Sequence, residues 1–254
     1  MTQEHLNLLQ KISGIPGGVS TKEAVYLYET AKKCQNGVIV EIGSWYGKST
    51  ACLGLGSKAG HGVKVYAVDP HTGSPDQRSY KKINTIEPFK KNMKNVGLES
   101  IVEAVVATSE EAAKNWTRPV ELVFVDANYQ DYKETKNDFF RWLKFLTEDG
   151  IYALHNTVPS ISGILEGIPL HGWEAPKKFM NDFIFCSGHF KNLEIHGTIT
   201  SISKSNVIDL SNKIKNRSVR LKSALLSINH KFYLVSTSIP KPIKKWVKKL
   251  ILSA

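Results

Sequence analysis

Between residues 37 and 155, short runs of apolar and β-branched residues alternate with longer amphipathic segments, and this alternation limits the fold more than any other feature. The predicted strands are 37–42, 63–68, 101–106, 121–125 and 151–155. The predicted helices between them are about 48–57, 82–96, 109–116 and 131–146. Strands that alternate with helices at this spacing form βαβ units. We therefore predict an α/β fold with a doubly wound, mostly parallel sheet that helices cover on both faces.

Two further regions flank this alternation. Before it, short helices are expected over 4–13 and 20–33, and Ser20-Thr21-Lys22-Glu23 resembles a capping box for the second. After it, the runs 180–187 and 193–203 have no helix between them, and we expect them to pair as an antiparallel hairpin at one edge of the sheet.

The last fifty residues differ from the rest in charge. Residues 205–254 contain eleven Lys or Arg and one acid, Asp209, so they account for nearly all of the formal net charge of +11. Helices are expected over 206–229 and 243–252, with an interruption at Pro240 and Pro242. The predicted divisions of the chain are N-terminal helices over 1–35, a sheet domain over 36–204, and a basic amphipathic helical tail over 205–254.

Composition excludes several classes of protein. Hydrophobic residues make up 41% of the 254 residues, which is enough for a packed core. Cys34, Cys52 and Cys186 are far apart, so neither a disulfide framework nor a Cys-based zinc site is expected. The N-terminus has no basic region followed by an apolar run, and no run of 18 apolar residues occurs, so we predict neither a secretory signal nor a spanning helix. A cytoplasmic location fits these features best.

The loop after the first strand, 41–47, is the predicted ligand site, because ligands of open α/β sheets bind beyond the carboxyl ends of the strands. Gly43 and Gly47 allow a tight turn and a close approach to a ligand. Ser44, together with amides at the start of the next helix, suits a carboxylate group, whereas Glu41 suits an ammonium group. Asp69 ends the second strand, where it is placed to accept hydrogen bonds from both hydroxyls of a ribose.

Two nucleotide-binding motifs compete with this interpretation. Gly47-Lys48-Ser49-Thr50 resembles the end of a phosphate-binding P-loop, but the first glycine of that motif would fall on Ile42. The loop is therefore too short to wrap a phosphate. A nicotinamide cofactor is less favoured, because Gly-x-Gly-x-x-Gly is absent.

Four segments together resemble the class I S-adenosylmethionine-dependent methyltransferases, in particular the group of macrocin-type and other small-molecule or sugar O-methyltransferases. The matching segments lie at 40–50, 66–74, 122–138 and 150–157, within a resemblance that spans 36–204. The resemblance implies a seven-stranded Rossmann-like sheet with the antiparallel edge hairpin, and it places Thr108 and Ser109 near the adenine. The residues expected to contact S-adenosylmethionine are Glu41, Gly43, Ser44, Trp45, Tyr46, Gly47, Ser49, Asp69, Pro70, Thr108, Ser109 and Asp126.

Methyl transfer needs an aligned acceptor and the removal of its proton. The candidate catalytic residues are His155, His71 and Asp126, because imidazole titrates near neutrality and Asp126 ends the fourth strand. In cation-dependent relatives, carboxylates at these strand ends hold a divalent metal. Asp126 and Asn156 are thus candidate ligands for Mg²⁺, although Asn156 stands where relatives usually carry Asp, which weakens a site for a hard cation.

The tail and the acceptor leave alternatives open. Residues 241–252 place lysines on one helical face and Trp246 with aliphatic residues on the other, a pattern that suits an anionic membrane surface. The same tail could instead dock on its own domain or on a second subunit, whereas nucleic acid is disfavoured because the remaining chain has no basic excess. Loops 72–80 and 158–178 are expected to cover a small-molecule or glycan acceptor. The competing functional class is a non-catalytic binding module that keeps the fold.

Overall fold

The chain folds around one mixed sheet. The computed structural model describes residues 1–73, 83–127, 130–159, 174–205 and 209–237. The described strands are β1 (Val38–Ile42), β2 (Val65–Val68), β3 (Val102–Val105), β4 (Val120–Val125), β5 (Leu146–Leu154), β6 (Phe190–His196) and β7 (Ile199–Lys204). The described α-helices are α1 (Gln3–Ile12), α2 (Thr21–Lys33), α3 (Lys48–Ala59), α4 (Ile86–Asn95), α5 (Ser109–Lys114), α6 (Tyr132–Leu143), α7 (Glu174–Phe179) and α8 (Leu210–Thr237).

The seven strands are ordered β3-β2-β1-β4-β5-β7-β6. The first five are parallel, whereas β7 runs antiparallel to both β5 and β6. The predicted doubly wound sheet with an antiparallel edge hairpin is therefore confirmed. The strand order reverses between β1 and β4, and their carboxyl ends form the crevice in which such sheets bind ligands.

The edge hairpin contains the main error of the sequence prediction. Residues 180–187 were expected to be a strand, but the chain continues from α7 into a π-helical turn over Met180–Ile184. Phe179, Met180, Ile184 and Phe185 are all buried. Their spacing matches one face of a helix, and that face packs under the sheet. Both hairpin strands instead come from 190–204, because Gly197 adopts φ +67° and turns the chain in the middle of the predicted strand 193–203.

Apolar side chains bury both faces of the sheet. On one face, α1 and α2 pack with α3, and Leu27, Leu53 and Phe124 are fully buried there. On the other face, α6 and α7 cover the sheet around Phe139 and Trp142. The two N-terminal helices are thus an integral layer of the core.

The basic tail begins as a helix. α8 covers the predicted helix 206–229 from residue 210 onward and extends beyond it. Residues 238–254, which include the predicted interruption and the predicted helix 243–252, lie outside the described residues. Within the described part of the chain, no helix is both long and apolar enough to cross a membrane.

Candidate active site

The loop between β1 and α3 is held by the carboxylate of Asp69 at the end of β2. Asp69 Oδ2 accepts hydrogen bonds from the backbone amides of Ser44 (2.9 Å) and Trp45 (2.8 Å). Asp69 Oδ1 accepts one from the amide of His71 at 2.6 Å. The predicted cofactor loop and the predicted ribose acceptor are therefore in direct contact. Asp69 also organises the loop, and only part of its acceptor capacity remains for a ligand.

Both predicted loop glycines have left-handed backbone conformations, with φ +87° at Gly43 and +89° at Gly47. A Cβ at Gly43 would lie 2.5 Å from the carbonyl oxygen of Asp126, and one at Gly47 would lie 2.6 Å from Met93 Cε. The tight turn was thus predicted correctly. The close approaches that require glycine in this structure are to Asp126, just after β4, and to Met93 on α4.

Glu41 is a fully buried acid at the end of β1. Thr50 Oγ1 donates a hydrogen bond to Glu41 Oε2. In the described part of the chain, Oε1 has no hydrogen-bond partner. Burial raises the pKa of Glu41 to about 8, the nearby hydroxyls of Ser49 and Thr50 oppose this rise, and the negative charges of Asp126 and Asp69 add to it. A cationic ligand near these acids would reverse the rise, so this end of the sheet is suited to bind positive charge.

His155, at the end of β5, lies between two carboxylates. Its Nδ1 is 2.6 Å from Asp126 Oδ1. Its buried Nε2 makes no hydrogen bond among the described residues, but it is 3.6 Å from Glu23 Oε1, an ion-pair distance. Burial alone would lower the pKa of His155, but Asp126 and Glu23 outweigh it and raise the pKa to about 10. His155 is therefore an imidazolium at neutral pH. The raised pKa argues against the predicted role of His155 as a general base, because a base must be unprotonated.

Sequence reasoning missed Glu23 as part of this site. The capping box at Ser20 is confirmed, since Glu23 Oε2 accepts from Ser20 N at 2.8 Å and from Ser20 Oγ at 2.7 Å. The other oxygen, Oε1, accepts from Thr198 N at 2.6 Å and from Thr198 Oγ1 at 2.7 Å. Glu23 and Thr198 are 175 positions apart. The capping motif explains half of the contacts, and no local signal predicts the other half.

The predicted magnesium ligands do not fit a divalent cation. Asn156 Nδ2 lies 3.5 Å from Asp126 Oδ1 and 3.1 Å from His155 Nδ1, so its amide donates toward the carboxylate. Asp126 Oδ1 lies 2.6 Å from His155 Nδ1, so this carboxylate oxygen is already engaged with the imidazole. In the described ranges, no group of three or more His, Cys, Asp or Glu side chains has an arrangement that could hold a metal.

His71 has the opposite protonation state to His155. Its Nδ1 lies 2.8 Å from Thr85 Oγ1, and its buried Nε2 has no hydrogen-bond partner among the described residues. Burial lowers the pKa of His71, Asp69 opposes that effect and Lys90 adds to it. The backbone of His71 has φ +56°, an uncommon conformation for a residue other than glycine. His71 is thus a neutral imidazole beside the cofactor loop.

The remaining predicted cofactor residues surround the same strand ends. The side chain of Ser44 is buried with no partner for its hydroxyl among the described residues, and Trp45 is 37% exposed and packs edge-on against Tyr46. Thr108 caps α5 through Glu111. Ser109 Oγ donates to Asp138 Oδ1 at 2.5 Å and accepts from Trp142 Nε1 at 2.9 Å. Pro70 is exposed beside Asp69.

Comparison with known proteins agrees with this geometry. Residues 40–157 match the family described as "Methyltransferase domain". The O-methyltransferase TomG from Streptomyces achromogenes, in complex with S-adenosylmethionine, shares 18% identity over 81% of this chain and 91% of its own, with a TM-score of 0.53. An O-methyltransferase from Bacillus cereus with S-adenosylhomocysteine shares 17% identity (80% and 92% covered, TM-score 0.53). The S-adenosylhomocysteine-bound methyltransferase PaMTH1 from Podospora anserina shares 16% (81% and 89% covered, TM-score 0.56). At these identities the structural likeness establishes the fold.

Proposed function

We propose that this class I, S-adenosylmethionine-dependent methyltransferase places the methyl group on a hydroxyl oxygen of a small-molecule or glycan acceptor. The family match over 40–157 and the observed strand order support the enzyme class. TomG and the B. cereus enzyme are O-methyltransferases, which supports an oxygen acceptor. The family match does not favour the non-catalytic binding module.

The observation that carries the proposal is the buried, unpartnered Oε1 of Glu41. S-adenosylmethionine carries a sulfonium and an ammonium group, and Glu41 supplies the counter-charge for them. Near neutral pH the carboxyl of Glu41 is largely protonated, because its pKa is about 8. The arrival of the cationic cofactor lowers that pKa and releases a proton. Ser44 and Asp69 bind polar groups of the cofactor. Asp69 accepts a hydrogen bond from one ribose hydroxyl, because the loop amides leave part of its acceptor capacity unused.

Calorimetric titration with S-adenosylhomocysteine, which retains the ammonium group, tests this role. We expect Glu41→Gln to weaken binding about tenfold or more and to abolish proton release, measured from the heat in buffers of different ionisation enthalpy. Glu103→Gln on the exposed edge of β3 is the matched control and should bind like the wild type. Unchanged affinity and unchanged proton release in Glu41→Gln would contradict the proposal.

For the chemical step we assign the base to His71. The assignment takes the tautomer in which Nδ1–H donates to Thr85 Oγ1, 2.8 Å away. The lone pair is then on Nε2, which is what proton abstraction requires. Asp126 and His155 act as a charged pair that orients the acceptor hydroxyl at the end of β4. S-adenosylmethionine supplies the electrophilic methyl group when it is bound, and the residues of this chain hold the acceptor in line and take up its proton.

The basic tail is assigned to peripheral contact with an anionic membrane surface through 241–252. The support is its composition, with Lys244, Lys245, Lys248 and Lys249 on the polar face of the expected helix 243–252 and Lys241 just before it. An enzyme that modifies glycans built on lipid carriers would gain from such a location on the cytoplasmic side. Assembly with a second subunit is the competing role of the tail.

A further inference from the structure

One face of α8 is docked on the domain. Asn216 is buried, and its Nδ2 donates hydrogen bonds to the carbonyl oxygens of Ser187 (2.8 Å) and Phe190 (3.0 Å). Val219 packs against the apolar core beneath β6, and Ser223 is buried one turn later. These contacts fix the rotation of α8 about its own axis, so the opposite face has a defined direction.

The opposite face carries three exposed apolar side chains. Ile214 is 62% exposed, Leu221 is 68% exposed and Leu225 is 61% exposed. At about 100° per residue, their spacing of seven and four positions aligns them in one stripe. The stripe points about 180° away from Asn216 and Ser223, so no part of the docked face reaches it. Single exposed apolar residues are common on proteins, but three in a row along one helix indicate a binding surface.

Basic side chains flank this stripe. Lys215 and Arg217 are exposed and Lys213 is half-buried, and at about 100° per residue they lie to either side of the line from Ile214 to Leu225. Asp209 is the only acid in residues 205–254. A second copy that met this stripe with its own stripe would bring the same positive charges to the contact and would be repelled, whereas an anionic lipid surface would attract them.

We propose that the stripe Ile214–Leu221–Leu225 of α8 lies in the headgroup region of an anionic lipid bilayer. α8 is then the layer between the domain and the lipid, with one face on β6 and the other in the membrane interface. This inference rests on the membrane contact proposed for 241–252, but it assigns the apolar anchor to a helix with known contacts. The domain would thereby take one orientation on the surface.

The test is co-flotation of the full chain with vesicles of phosphatidylcholine alone or mixed with phosphatidylglycerol. We expect the wild type to float only with the anionic vesicles. Each Gln substitution should lower the partition coefficient of the protein onto the anionic vesicles about fivefold, and I214Q/L221Q/L225Q should lower it about a hundredfold. Leu6→Gln on α1, where the side chain is 47% exposed, is the matched control and should float like the wild type.

A second full-length variant, with the five lysines of 241–249 changed to Gln, separates the two parts of the tail. If the stripe anchors the protein, this variant retains part of the anionic binding, and adding the stripe substitutions removes it. Unchanged flotation of I214Q/L221Q/L225Q would overturn the proposal. The proposal would also be overturned if light scattering showed that the wild type is a dimer and that I214Q/L221Q/L225Q is a monomer. Binding of S-adenosylhomocysteine should be the same in all these proteins, so a failure of the membrane proposal is distinct from a failure of the enzyme assignment.

Discussion

Replacing Glu23 by Gln should destabilise the protein by about 3–5 kcal/mol, as expected when one partner of a buried ion pair is removed. Glu23 is fully buried and faces the imidazolium of His155 at 3.6 Å. Each of its oxygens accepts from one backbone amide and one hydroxyl, at Ser20 and at Thr198. Gln must turn its NH₂ group toward one of these amides, and that N–H loses its acceptor. In a domain of this size the loss corresponds to about 10 °C in Tm.

The dependence of this effect on pH has a definite sign. Burial alone would raise the pKa of Glu23, but His155, Ser20 and Thr198 lower it from 4.5 to about 2, so its stabilisation is present above pH 4.5 and is lost as pH falls toward 2. The pKa of His155 is raised from 6.5 to about 10, so its stabilisation is complete below pH 6.5 and is lost as pH rises toward 10. The difference between wild type and Glu23→Gln should therefore be largest between pH 4.5 and 6.5.

Urea unfolding followed by circular dichroism measures this difference. Glu29→Gln is a matched control, because Glu29 lies on the same helix α2 and also faces a histidine, with 2.7 Å between its Oε1 and His5 Nε2. The Glu29 side chain is 38% exposed, so this pair should contribute at most about 1 kcal/mol. If Glu23→Gln lost no more stability than Glu29→Gln, or if its loss did not change with pH, the proposed ion pair of Glu23 and His155 would be refuted.

Three further predictions concern the cofactor loop and the chemistry. Gly47→Ala should lower the free energy of unfolding by about 1–3 kcal/mol, because the new Cβ would meet Met93. Gly62 also has a positive φ but has open space around it, so Gly62→Ala should lower the free energy of unfolding by about 1 kcal/mol or less. His71→Asn should lower kcat by about 10²- to 10⁴-fold and remove the ascending limb of the pH–rate profile. In the wild type this limb should lie below pH 6.5, because burial lowers the pKa of His71. If the variant retained the limb, His71 would be excluded as the base. Dialysis against a chelator should leave turnover unchanged, and a tenfold loss restored by Mg²⁺ would contradict the ion pair of Asp126 and His155.

The sequence predicted most of the fold because its main features are local. The runs that form β1, β2 and β4 are buried almost throughout, and the helices between the strands show their period directly. The prediction failed at 180–187, where apolar residues are dense enough to fit either a strand or a helix and only packing against the sheet decides. For the site, the acids at the ends of β1, β2 and β4 follow from the fold class. The partners of His155 do not, because Glu23 and Thr198 reach it from distant parts of the chain.

At the end of β5 this chain has His155-Asn156 where the relatives usually carry His-Asp, and this difference changes the charge balance of the site. An Asp at position 156 would place a second carboxylate beside Asp126, and the two charges would favour either a bound cation or protonation of one carboxyl. Asn156 adds no such charge, and its φ of +59° is a conformation that Asn tolerates well. His155 Nδ1 lies 2.6 Å from Asp126 Oδ1, and Glu23 lies at the other side of the ring, 3.6 Å from Nε2. Among the described residues Glu41 is a buried acid with no cationic partner, and with a pKa of about 8 its carboxyl is largely protonated near neutral pH. The charge that this site lacks is the charge that the methyl donor carries.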